Sequence, residues 1–159
     1  MSGLYFLTMA LIMVGAYHFG RSRAAKLVRG GPGPSLHSLP SYHGLLPMSA
    51  VIVIMLLVFA VGSVLVGRYA ELGALSLLGP EFVSDPLKRA VGLREVYNVS
   101  TGVHQGAVSD ALAAASAHFR STHLYGGWLV FRLGAALAIL ATLLIPSRVS
   151  ATFRARNYF

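Results

Sequence analysis

The sequence predicts an all-α membrane protein: three transmembrane helices with a small helical external region between the second and the third. Three observations carry that reading. The stretch Gly44–Gly67, GLLPMSAVIVIMLLVFAVGSVLVG, belongs to a segment with no Asp, Glu, Lys or Arg between Arg29 and Arg68. Two further apolar runs stand near the ends, Gly3–Phe19 without any charge and Tyr125–Ile145 with Arg132 alone. Basic residues gather after the first and third runs, while every acidic residue (Glu71, Glu81, Asp85, Glu95 and Asp110) falls between the second and the third.

The totals agree with one membrane module of 159 residues, 55% hydrophobic, with formal charge +8 and no cysteine. Three spans leave little chain for a second domain. The missing cysteines exclude disulfides, thiolate metal sites and cysteine nucleophiles. The basic residues flank apolar runs without an aromatic-studded polar surface, so the lipid bilayer, not nucleic acid, is the expected counter-charge.

The first span covers about residues 3–19, near the short end of what crosses a bilayer. It lacks the preceding basic residue and the following small-residue cleavage site of a signal peptide. Its positive charge comes afterwards, in Arg21, Arg23, Lys26 and Arg29, a set suited to lipid headgroups. The positive-inside rule then places the N-terminus outside and the connector 20–44 in the cytoplasm. Gly-Pro clusters in GGPGPSLHSLPSYHG predict a broken helix and an extended chain from Gly30 to about Tyr42.

The second span runs over 45–67. Twelve Val, Ile, Leu or Phe residues lie between Ala50 and Val66, and together they favour insertion by about 4–7 kcal/mol. A chain this short could hardly enclose such a helix on all sides in water. Pro47 is expected in its first turns, where a missing N–H does least harm.

Residues 68–124 carry five basic and five acidic side chains, a neutral balance that fits an external location. Asp85-Pro86 predicts an N-cap followed by proline at the first helical position, opening a helix to about Tyr97. Val108, Leu112, Ala115 and Phe119 recur at helical spacing and predict a second amphipathic helix over about Gln105–Arg120. The GPEF and NVSTG stretches are expected to separate these pieces. The third span covers 125–145, with Tyr125, Trp128 and Phe131 as an aromatic belt at its outer end. Pro146 ends it, and Arg148, Arg154 and Arg156 mark the tail 146–159 as cytoplasmic. The expectation is a multi-pass protein of a bacterial inner membrane, N-terminus outside and C-terminus inside.

Arg132 is the one formal charge inside a span, with Trp128 one turn earlier. It has two readings: an ion pair with another chain or anion, or a snorkelled arginine on headgroups, carbonyls or an outer carboxylate such as Glu71. Gly134, Ala138 and Thr142 form a small-residue face for helix packing, as do Ala16 and Gly20 more briefly. The six histidines show no i, i+3 or i+4 pairing and no acidic companion, so neither metal nor cofactor is expected. No phosphate-binding loop, dinucleotide fingerprint or nucleophile motif occurs, and no enzyme is expected.

GRSRAAKL (Gly20–Leu27), LHSLPSYHG (Leu36–Gly44) and FRARN (Phe153–Asn157) together resemble the N-terminal region of PstC-type permeases of phosphate ABC importers. The resemblance covers essentially the whole chain in order and spacing. It implies a first span ending in G-R-x-R-A, then L-H-S-L-P-x-Y-x-G, a second span, an external helical region, a third span, and F-R-A-R-N leading into the permease proper. The chain reaches Phe159 where that family continues into further spans, so the resemblance implies packing, assembly or regulation beside a transport core, not an anion pathway. LHSLPSYHG would be the docking element: Leu36, Leu39 and Tyr42 as apolar anchors, Pro40 limiting the entropy lost on ordering, with His37 and Gly44 completing the motif. The rival expectation is an accessory structural subunit of another multi-subunit membrane complex, respiratory or photosynthetic.

Overall fold

A computed structural model of the chain describes residues 2–29 and 40–148, with side chains over 2–26 and 40–148. Five helices follow in order: α1 (Ser2–Arg29), α2 (Pro40–Leu78), α3 (Pro80–Ser84), α4 (Pro86–Thr101) and α5 (Asp110–Ser147). Three of them, α1, α2 and α5, are long and apolar enough to cross a membrane.

The helices outrun the apolar runs that predict them. α1 continues past Phe19 to Arg29, so Arg21, Arg23 and Lys26 are helical. α2 has 39 residues, about 58 Å at 1.5 Å per residue and roughly twice a hydrocarbon core. It begins at Pro40, so residues 40–42 are helical where an extended chain was expected, and Pro47 stands in the interior instead of the first turns. The separate helix over Gln105–Arg120 and the span from Tyr125 merge into α5, which starts at Asp110. The Ser109 hydroxyl accepts the Leu112 N–H there, at 3.3 Å, in the manner of an N-cap. Neither HFRSTHLYGG nor GRYAELGALSLL contains proline, and glycine within a helix weakens it without necessarily ending it.

Local punctuation decides the shorter elements. Gly79 at φ 137° closes α2, and GPEF opens the five-residue helix α3 in place of a simple turn. The Asp85 carboxylate caps α4 by accepting the N–H of Leu87 at 2.8 Å and of Lys88 at 3.4 Å. α4 then extends four residues beyond Tyr97 to Thr101, and Gly102 ends it in the left-handed conformation at φ 75°, which any residue with a Cβ adopts only at a cost.

The chain divides into two compact units, one of residues 1–59 with 131–159 and one of residues 60–130. In the first, α1, the early part of α2 and the late part of α5 bury Tyr5, Ala16, Ala24, Val51, Met55 and Ala138. In the second, an apolar cluster of Ala74, Val96 and Ala115 is flanked by Leu78, Leu112 and Phe119. α4 comes close because Gly92 carries no side chain: a Cβ there would lie 2.7 Å from the Phe82 ring and 3.1 Å from Leu78.

Candidate functional site at the helix contacts of the first unit

Lipid tails are as apolar as leucine, so helices in a bilayer hold together by close packing and internal hydrogen bonds. The first unit has both. Ala16, Gly20 and Ala24 recur every four residues along α1 and are buried. Facing Gly20 is the carbonyl oxygen of His43, in the place that a Cβ would occupy, with Pro47 Cγ at 2.9 Å from the same point. Pro47 is the reason for that arrangement, because it lacks the N–H that would bond the His43 carbonyl within a regular helix. One turn back, Gly44 receives Tyr17: a Cβ on Gly44 would stand 2.7 Å from the Tyr17 carbonyl oxygen and 2.9 Å from its ring. Two motif segments that look independent in the sequence, Gly20–Ala24 and the end of Leu36–Gly44, are therefore packing partners.

The same spacing turns charge outward. Arg21, Arg23 and Lys26 lie off the Ala16–Gly20–Ala24 stripe and are exposed, while Arg29 is the last residue of α1 and its side chain is not described. Of the expected docking element, Pro40 opens α2 half-buried, Tyr42 is half-buried and Gly44 is buried. Leu36, His37 and Leu39, like the FRARN segment, lie outside the described residues.

A second lock sits deeper. Tyr5 is 3% exposed, and its hydroxyl donates to the Met55 carbonyl at 2.7 Å. That hydroxyl also fills the space beside Gly134 where a Cβ would project, so one side chain of α1 engages both α2 and α5. Phe6, Phe59 and Phe131 surround it, the Tyr5–Phe59 ring centroids being 5.1 Å apart. Further along the same side of α5, Ala138 is fully buried, and the half-buried Thr142 donates its hydroxyl to the Ala138 carbonyl at 2.8 Å. Tyr5 escaped the sequence reading, although a signal was present: a tyrosine near the start of an apolar run needs a partner for its hydroxyl.

Arg132 and Trp128 are both exposed on α5. Glu71, one carboxylate considered for Arg132, pairs with Arg89 at 4.0 Å. Glu95 meets His104 Nδ1 at 3.1 Å. No group of three or more metal-ligating side chains occurs among the described residues.

Residues 6–158 match a family, DUF3708, described as phosphate ATP-binding cassette transporter. The chain belongs to that family. Membership in this phosphate ATP-binding cassette transporter family takes in all three long helices, the α3–α4 region and the three motif segments that carry the PstC resemblance. With its three apolar helices, the family member is a multi-pass membrane protein. No curated protein and no solved structure is significantly similar to the chain.

Proposed function

We propose that the chain is a non-catalytic membrane module of a phosphate importer, resembling the N-terminal part of its PstC-type permease. It serves packing and assembly beside the transport core instead of lining the anion path. The observation that carries this reading is the family match over residues 6–158. The helix contacts favour assembly over conduction: Gly20 on His43, Gly44 on Tyr17 and Tyr5 on Gly134 bring backbones together. A phosphate path needs converging donors or cations, whereas Arg21, Arg23, Lys26 and Arg132 are all exposed.

In this reading the module lies in a bacterial inner membrane with its N-terminus outside. Arg21, Arg23, Lys26 and Arg29 meet cytoplasmic headgroups, and Leu36, Leu39 and Tyr42 dock onto a neighbouring importer subunit. Replacing Leu39 and Tyr42 together by Ala is expected to abolish most phosphate uptake while the membrane level of the protein is unchanged. Unchanged uptake removes the docking role. Mass spectrometry of a mild-detergent pull-down is expected to recover the importer's ATPase subunit; recovery of a haem- or pigment-bearing complex without it overturns the importer assignment.

A further inference from the structure

Ionised side chains within membrane spans nearly always face a bundle interior or a water-filled cavity. Among the described residues, Arg132 is instead exposed on the outside of α5. It is two residues, and so about 200° around the helix, from Gly134, the position against which Tyr5 packs. It is exposed and makes no ion pair or hydrogen bond with a described residue. Its surroundings on that outward face are apolar: Leu133, Leu140 and Leu143 are each about half exposed, and Ala136 is exposed one turn along. Arg132 also stands seven residues inside the expected outer end of the third span, about 10 Å along the helix.

We propose that the outward face of α5 around Arg132 docks a transmembrane helix of a partner chain bearing an Asp or Glu at matching depth. Charge selects the carboxylate, since an acidic side chain brought by a partner helix pairs with an exposed guanidinium without the bilayer deformation that snorkelling requires. Shape agrees with a helix as occupant, because Ala136 lets a neighbouring backbone approach where a larger side chain would hold it off. The proposal names the kind of partner for the assembly role above and rests on that role, not on the identity of the transported anion.

The test uses the full chain in native membranes with a photo-crosslinking amino acid at Ala136. The expected result is an adduct whose peptide maps to an apolar helix of another chain containing an acidic residue. Arg132→Ala is expected to lower the adduct yield roughly tenfold or more at equal membrane level, with Arg132→Lys retaining part of it. Should Arg132→Ala fail to accumulate, the decisive variant is Arg132→Glu combined with the partner's acidic residue changed to Arg, which is expected to restore the adduct. An adduct with phospholipid alone, or a yield indifferent to Arg132, overturns the proposal. An Arg132-dependent adduct to a chain outside any ATP-binding cassette importer sinks the importer assignment while leaving the docking face intact. Capture of importer subunits without Arg132 dependence does the reverse.

Discussion

The two compact units share one packing device and differ in what is added to it. In the unit of residues 1–59 and 131–159, cohesion comes from absent side chains: Gly20, Gly44 and Gly134 each leave room for a backbone oxygen or a tyrosine of a neighbouring helix. In the unit of residues 60–130 glycines make room as well, Gly62 for Val130, Gly126 for Val66 and Gly92 for Phe82, but to this are added the Asp85 cap, the Gly102 terminus, the Glu71–Arg89 and Glu95–His104 pairs and an apolar cluster around Val96. Burying Val96 away from water is favourable in itself, whereas lipid offers no such gain and leaves contact distance as the main variable. Substitutions should therefore hurt most where they force helices apart in the first unit, and least where they remove an exposed pair in the second.

Gly20→Ala is the sharpest test. Its new methyl meets the His43 carbonyl and Pro47, neither of which can swing away, so a loss of about 2–3 kcal/mol in detergent unfolding is expected. Gly15→Ala on the same helix is the control, because nothing lies within 4 Å of a Cβ there; it should be neutral or stabilising by up to about 1 kcal/mol through helix propensity. Equal effects at the two glycines would remove the close-packing account. Gly134→Ala comes next, at about 1–2 kcal/mol, smaller because the tip of Tyr5 can tilt. Its cost is expected to fall by about half or more in a Tyr5→Phe background, where the hydroxyl that meets the new methyl is gone. An unchanged cost in the double variant would show that Tyr5 is not what the methyl meets.

Which of these sites the sequence displays depends on range. Hydropathy locates the three long apolar helices, because insertion depends on summed side-chain polarity within one segment. Asp85-Pro86 was equally legible, since an N-cap involves only the next three residues. The ends of α2 and α5 were not, for the edge of an apolar run is where solvent changes, and a helix stops only where its backbone is interrupted, as at Gly79 and Gly102. The small-residue faces could be read at Ala16, Gly20 and Gly134, but their occupants could not: Gly20 and His43 are far apart in the chain, and no local pattern joins them. The merging of Gln105–Arg120 with the third span escaped for a related reason, because the apolar repeat says where a helix has a face and not where it starts.

In the second unit the expected effects shrink in order of how fully each device is withdrawn from water. Asp85→Ala removes the acceptor for the Leu87 and Lys88 N–H groups and should cost about 1 kcal/mol, visible as faster amide exchange over the first turn of α4. Glu71→Gln should do least. Its oxygen is 4.0 Å from the Arg89 guanidinium, and the two side chains are 37% and 34% exposed. Solvent screens a pair of that kind, and holding two long side chains together offsets part of the attraction, leaving about 0–0.5 kcal/mol. A loss above about 1 kcal/mol from Glu71→Gln would mean that Glu71 and Arg89 are shielded from water by something beyond this chain, and salt dependence separates the cases. Screening by added salt erases an exposed pair and leaves a covered one largely intact.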